Sequence, residues 1–251
     1  MKALLDALFN HPNTGPFISS QLIQHLVTSN PTPAYIERVA AVFANNGNGV
    51  RGDMQALIRA ILLDPEARQG TASNPAFGRL REPVQRVANL FRAASFSSPD
   101  GSFNVFNIGD ATWNMAQNIL SAPTVFNWFR PDYSPQGPLA TQGLKGPEFQ
   151  IENEYTIPEQ TGSILQFSWN GFWQNGPTPD LSRWMAFADD PTGMVNDLDL
   201  IFTGGVMSDE SKQTIITAVQ NTPTTVTNYP LERAKTAIYL VLNTPDYMIQ
   251  K

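Results

Sequence analysis

The chain has 251 residues, 41% of them hydrophobic and only 15% charged, which is enough apolar material for a good core and too much for disorder. It carries 16 Lys/Arg against 22 Asp/Glu, a formal net charge of −6, and no cysteine, which excludes disulfides, thiolate metal sites and a cysteine nucleophile. The charge is uneven: residues 1–130 hold ten basic and eight acidic side chains, net +2, and residues 131–251 hold six and fourteen, net −8. Such an acidic half argues against a nucleic-acid partner, which needs a basic surface.

In chain order, Lys2–Phe9 reads as a short amphipathic helix, broken by Asn10, His11 and Pro12 and unlike a signal peptide. Gly15-Pro16 opens a second helix with Phe17, Ile18, Leu22, Ile23 and Leu26 at helical spacing. Thr32 is the expected N-cap of a third, with Tyr35, Val39, Val42 and Phe43 facing inward. Asn45–Gly49 is a turn cluster, and Arg51-Gly52-Asp53 follows it. That tripeptide matches an adhesion motif, but the stronger reading is that Asp53 caps a helix over Met54–Leu63.

Arg81-Glu82-Pro83 opens a helix running to Ala94, with Val84, Val87, Ala88 and Phe91 inward. Arg81 is a candidate anion clamp; the structural alternative is an internal ion pair for Arg81 and a dipole-compatible helix start for Glu82. Asp110 is placed to cap a helix over Ala111–Leu120 that carries Trp113. After a long central segment, helices are expected over Glu159–Phe172, after Thr178-Pro179, after Asp190-Pro191, over Asp209–Val219 behind Ser208, and from Pro230 to Asn243. Gly204-Gly205 separates two of them. Asp190 is expected as an N-cap and Asp189, Asp197 and Asp199 as a solvated face, because their spacing is not an EF-hand loop.

About ten helices and little strand signal predict a mainly α fold, an irregular multi-helix bundle with long ordered loops. We expect one α-helical domain over residues 1–251. No apolar run approaches the roughly 20 residues needed to span a bilayer, so no membrane span is expected.

Residues His11–Arg68, opening HPNTGPFISSQLIQHL and closing NNGNGVRGDMQALIRAILLDPEAR, resemble the bacterial DUF1800 family. FGRLREPVQRV, SAPTVFNWFRPDYSPQG, GPEFQIENE, DPTGMVNDLDLIFTGGVMSDESKQTII and RAKTAIYLVLNTPDYMIQK look like its later blocks, so the resemblance runs along nearly the whole chain. It implies an exported, periplasmic or extracellular protein made beside a sulfatase-like DUF1501-type neighbour, and no established activity. It also implies that the chain corresponds to the C-terminal half of a longer architecture. His11 falls at a motif position of that family; the structural reading for it is a hydrogen-bonded helix-end residue.

The chemistry is sought in the central loop, residues 121–158. Tyr133–Pro147 alone holds three prolines and three glycines, so no long helix crosses it. Ordered loops of that length are usually functional. Trp128, Arg130, Asp132 and Tyr133 on it, with Trp173 beyond it, are the candidate substrate-binding residues. Arg130 is expected to hold the loop through carbonyls or a carboxylate such as Glu148.

Glu148–Tyr155 alternates with period two, Phe149, Ile151 and Tyr155 against Glu148, Gln150, Glu152 and Glu154, which predicts an extended, half-buried segment. Glu152 and Glu154 would then stand about 7 Å apart, within the roughly 5–9.5 Å that a glycoside hydrolase requires of its carboxylate pair. Spacing selects Glu152 with Glu154; the family resemblance selects Glu148 with Glu154. The alternative is that Glu148 and Glu154 anchor the loop by accepting backbone N–H bonds.

Neither HExxH, a P-loop, GxGxxG nor GxSxG occurs, and the two histidines do not pair at i, i+4. No metal or other cofactor is expected. Two function classes follow: a carboxylate-dependent hydrolase acting on a polysaccharide or other neutral polymer, or a non-catalytic interaction or glycan-binding module of the bacterial envelope, with an envelope protein as the other partner class.

Overall fold

The computed structural model describes residues 1–251 except 73, 102, 104–114, 119, 126 and 171–175, and the side chain of Asn170. The described chain is mainly α. Its elements are α1 (Lys2–Asn10), α2 (Thr14–Leu26), α3 (Pro33–Ala44), α4 (Met54–Leu63), α5 (Pro65–Gln69), β1 (Arg79–Leu80), α6 (Pro83–Ala93), α7 (Pro138–Thr141), α8 (Thr156–Asn170), α9 (Ser182–Met185), α10 (Pro191–Phe202), α11 (Asp209–Gln220), α12 (Tyr229–Leu242), α13 (Pro245–Met248) and β2 (Ile249–Gln250). The two-residue strands pair with each other.

The elements group into two compact units, one of Met1–Arg79, Phe129–Gln150 and Lys251, the other of Leu80–Trp128 and Ile151–Gln250. In the first, Ile23 of α2 and Val27 at its C-cap, Tyr35, Val39 and Phe43 of α3, Leu57 and Ile61 of α4, and Phe77 form the core. Each fully buried aliphatic or aromatic side chain there is worth about 1.5–3 kcal/mol. Helix starts follow local chemistry: Thr32 Oγ1 accepts from the Tyr35 N–H, and Asp53 accepts from Gln55 and Ala56 N–H.

The Arg51-Gly52-Asp53 tripeptide is wholly structural. Arg51 lies over the rings of Phe9 and Phe43, at 5.5 and 5.0 Å, and donates to the Phe9 and His11 carbonyls. Gly52 has φ +74°, and a Cβ there would stand 2.7 Å from the Phe9 ring, so only glycine fits.

In the second unit, α12 packs on α8, α9, α10, α11 and α13. Its Ala234, Ala237, Ile238, Val241 and Leu242 are fully buried, a stripe whose small residues let neighbouring helices approach. Trp184, Phe202 and Tyr247 complete the core, with Ile164 and Phe167 of α8 and Val87 and Leu90 of α6. Arg233 sits inside the unit and donates to the Ala188 and Thr222 carbonyls. Asp190 and Ser208 cap α10 and α11 as expected, and Asn228 at φ +57° precedes α12.

Several expectations are corrected. Asp199 is buried: it accepts from Thr203 Oγ1 and from the Met207 N–H at 2.9 Å, and pairs with Lys212 at 2.6 Å. Burial pushes its carboxyl up, but the bonds from Lys212, Thr203 and Met207 outweigh that and hold it below its ordinary value. Asp197 takes the Arg183 fork and the Trp184 Nε1–H, and Asp189 accepts from the Tyr229 hydroxyl. Asp197 and Asp199 thus close the α9–α12 packing rather than form a solvated face, while Asp189 is exposed as expected. The helix after Thr178-Pro179 starts only at Ser182, because Asp180 supplies the accepting oxygen. Most of the helix expected over 111–120, with Trp113, lies outside the described residues; the described ones from Met115 are not helical, and Ala116 and Leu120 have positive φ. α6 buries Arg86 and Leu90 with Val87, while Val84, Ala88 and Phe91 are half-buried.

Candidate functional site

The central segment starts from turn chemistry. Pro147–Ile151 is a single 3-10 turn, not an extended strand. Pro147 sets its first φ, and the Phe149 N–H bonds the Gly146 carbonyl. The chain then turns at Asn153, whose Oδ1 accepts from the Tyr155 and Thr156 N–H groups. Thr156 Oγ1 answers by accepting from the Asn153 N–H and donating to the Ile151 carbonyl. That reciprocal cap starts α8 three residues before the expected Glu159. The period-two alternation is overturned: Glu148 is buried, Gln150 and Tyr155 are exposed, and the Glu152 side chain is only 6% exposed.

In the first unit, residues 129–150 are sewn to the end of α2. Gln24 Nε2 donates to the Ser29 and Pro131 carbonyls. Asn30 and Lys145 exchange two bonds, Nδ2 to carbonyl at 2.9 Å and N–H to Oδ1 at 2.8 Å, as two paired strands would. His25 and Phe129 bring their rings to 5.9 Å. Glu148 is the innermost anchor, 1% exposed, with one carboxylate oxygen 3.4 Å from Ser29 Oγ and the other 3.7 Å from Arg79 Nε. Arg79 is itself buried.

Arg130 does not take the role expected of it. Its guanidinium lies 3.7 Å from Asp132 with both side chains exposed, and it is the Arg130 N–H that is held, by Gln150 Oε1 at 2.8 Å. Arg79 is the arginine that meets Glu148. Because an exposed ion pair contributes little, Arg130→Lys is expected to unfold with the wild type, to within about 0.5 kcal/mol in chemical denaturation. Tyr133 is half-buried and its carbonyl accepts from the Gly146 N–H. Trp128 is half-buried as well, and Trp173 lies outside the described residues.

In the second unit, Glu82 and Gln85 close a capping box at the start of α6, and Gln117 bridges it by donating to Glu82 at 2.7 Å and accepting from the Val84 N–H. Arg81 makes no ion pair among the described residues: it donates to the Phe202 carbonyl and lies 4.6 Å from the Tyr247 ring centre. Arg86 donates to Gln160 Oε1, and Gln160 Nε2 to the Met115 carbonyl. Glu152 stands 3.7 Å from Arg86, with Gln160 also acting on its carboxylate, and Arg86 Nε is not hydrogen-bonded among the described residues. Burial pushes the Glu152 carboxyl up, with Arg86 opposing, and pushes the Arg86 guanidinium down, with Glu152 opposing. Tyr247 donates to the Arg86 carbonyl and to Asn89, and burial raises its phenol to about 12.

The three candidate glutamates therefore have three environments. Glu148 belongs to the first unit and Glu152 and Glu154 to the second; Glu148 and Glu152 are buried beside arginines, and Glu154 is exposed. His11 is exposed and accepts from the Asn13 N–H through Nδ1, as a helix-end residue does. Among the described residues no group of three His, Asp or Glu stands close enough to hold a metal, and no helix is long and apolar enough to cross a membrane. Gln24, Ser29, Asn30, Arg79 and Arg86 carry the site's architecture without a local sequence signal, since their partners lie far along the chain.

No match is found among curated proteins or among solved structures. The model of the family described as "Protein of unknown function (DUF1800)" matches residues 1–249, and the chain belongs to that family.

Proposed function

We propose that this chain is a non-catalytic interaction module of the bacterial envelope that docks a glycan through its central segment. The observation that carries the reading is the state of the carboxylates. Glu148 is enclosed against Arg79 and Ser29, and Glu152 against Arg86. A general acid or base has to reach the proton it moves, and a carboxylate that fixes a buried arginine is committed to structure. Beside the exposed Arg130, Asp132, Gln150 and Glu154, the segment offers apolar and aromatic groups to solvent: Val125 is 96% exposed, Tyr155 about half exposed, and Trp128 half-buried. Aromatic faces with a polar tip suit sugar rings. The envelope address rests on the resemblance of the sequence blocks to exported proteins.

One observation favours the hydrolase reading as a second: burial raises the Glu152 carboxyl, as it does a general acid's. The test is a panel of immobilised polysaccharides, with release of reducing ends and ester cleavage assayed in parallel. Expected are retention on at least one neutral polymer, loss of retention in Trp128→Ala, and no turnover. Turnover that Glu152→Gln or Glu154→Gln abolishes overturns the proposal in favour of the hydrolase. Retention of an envelope protein and of no glycan overturns the ligand class.

A further inference from the structure

The loop between α3 and α4 contains two Asn-Gly pairs, Asn46-Gly47 and Asn48-Gly49. In such a pair the backbone nitrogen of the glycine can attack the asparagine side-chain carbonyl carbon. A nitrogen–carbon bond forms, ammonia leaves with the displaced proton, and a cyclic imide results. Water then adds to one imide carbonyl and opens the ring to aspartate or isoaspartate. Glycine favours the attack because no Cβ blocks the approach, and asparagine is among the thermally labile residues for this reason.

The two pairs are alike in sequence and differ in structure. Both nucleophilic nitrogens are in the same state, since the Gly47 and Gly49 N–H groups each donate to Asn45 Oδ1 at 2.9 Å. The side-chain amides are not alike. Asn46 Oδ1 accepts from the Asn48 and Val50 N–H groups, at 2.9 and 3.2 Å, and its Nδ2 donates to Asp53 Oδ2 at 2.6 Å. Swinging its carbonyl carbon over Gly47 N breaks all three bonds. Asn48 is exposed and its side chain makes no hydrogen bond among the described residues. Gly49 beside it has φ +79°, with nothing within 4 Å of where a Cβ would stand.

We propose that Asn48 is a modification site, the Asn-Gly position of this loop that spontaneously exchanges an amide for a carboxylate, and that the Asn46–Asp53 contact protects its twin. The loop thereby gains a negative charge at residue 48, or a lengthened backbone where isoaspartate forms, while the cap of α4 at Asp53 stays intact.

The experiment incubates the folded protein at mildly alkaline pH and maps the amide-to-acid mass gain on both residues by peptide mass spectrometry over time. A synthetic peptide of residues 43–54, in which neither amide is held, is the reference. In the folded chain Asn48 should convert roughly tenfold or more faster than Asn46, since three hydrogen bonds hold the latter; in the peptide the two rates should converge. Asp53→Asn, which keeps an oxygen for the helix cap and removes the charged acceptor, should speed conversion at Asn46 and leave Asn48 unchanged. Equal rates at the two residues in the folded chain overturn the proposal. So does a folded chain in which neither converts while the peptide converts at both.

Discussion

Glu148→Gln is expected to lower the stability of the first unit by about 3–5 kcal/mol, the cost of breaking a buried ion pair by removing the charge of one member. The variant keeps the size and shape of the side chain and an oxygen for the Ser29 hydroxyl, so what it removes is the charge facing Arg79. Arg79, buried and carrying a guanidinium, then loses the carboxylate 3.7 Å from its Nε. The effect should be local in its first signs. Residues 129–150 hang on Gln24, Ser29, Asn30 and Glu148, so proteolysis within Ser134–Lys145 should accelerate before the helical signal falls. Chemical denaturation followed by circular dichroism gives the global loss, and limited proteolysis the local one. Glu154→Gln, at an exposed site, should move neither by more than about 0.5 kcal/mol. A Glu148→Gln protein as stable as wild type would remove the anchor role and return Glu148 to the list of free acids.

How much of this was legible in the sequence depends on the range of the interaction. Thr32, Asp53, Asp190 and Ser208 were readable as caps because a cap involves neighbouring residues and leaves a local signature. Residues 147–155 misled for a related reason: eight residues of alternating polarity fit a strand template, while the competing signal, Asn153 three residues before Thr156 behind Pro147, is shorter and stronger in energy. The anchors were beyond reach altogether. Ser29 and Glu148 are separated by 119 positions, and nothing near either one marks it as the other's partner. Asp199 shows the same limit: its spacing from Asp197 suggests an exposed acidic face, but Lys212 and the turn after Gly204-Gly205 close over it. Fold class survives such errors because it rests on many independent helix starts. A site does not, because it rests on a few long-range contacts.

The buried pair Arg86–Glu152 should give the most informative double-mutant cycle. Glu152→Leu leaves Arg86 charged and enclosed and is expected to cost about 3–5 kcal/mol; Arg86→Met leaves Glu152 facing no cation and is expected to cost a similar amount at neutral pH. The double variant Arg86→Met/Glu152→Leu replaces both desolvated charges with apolar volume and should lie within about 1 kcal/mol of wild type or be more stable by about 1–4 kcal/mol. The pH dependence separates the two single changes. Glu152 has its carboxyl raised in the folded chain, so its folded form holds the proton more tightly than the unfolded form. Stability from this group is then greatest below its ordinary carboxylate range and declines as pH rises from that range through the raised folded value. Removing Arg86 takes away the attraction that opposes the rise, so Arg86→Met should widen the window over which stability falls with pH and recover toward wild type as the solution is acidified. Glu152→Leu carries no such group, so its own stability should stay flat across that window and its deficit against wild type should shrink as pH rises. Urea midpoints measured for all four proteins between mildly acidic and neutral pH decide it. A double variant as unstable as the sum of the singles would show that Arg86 and Glu152 are not energetically coupled, and would overturn the buried-pair reading.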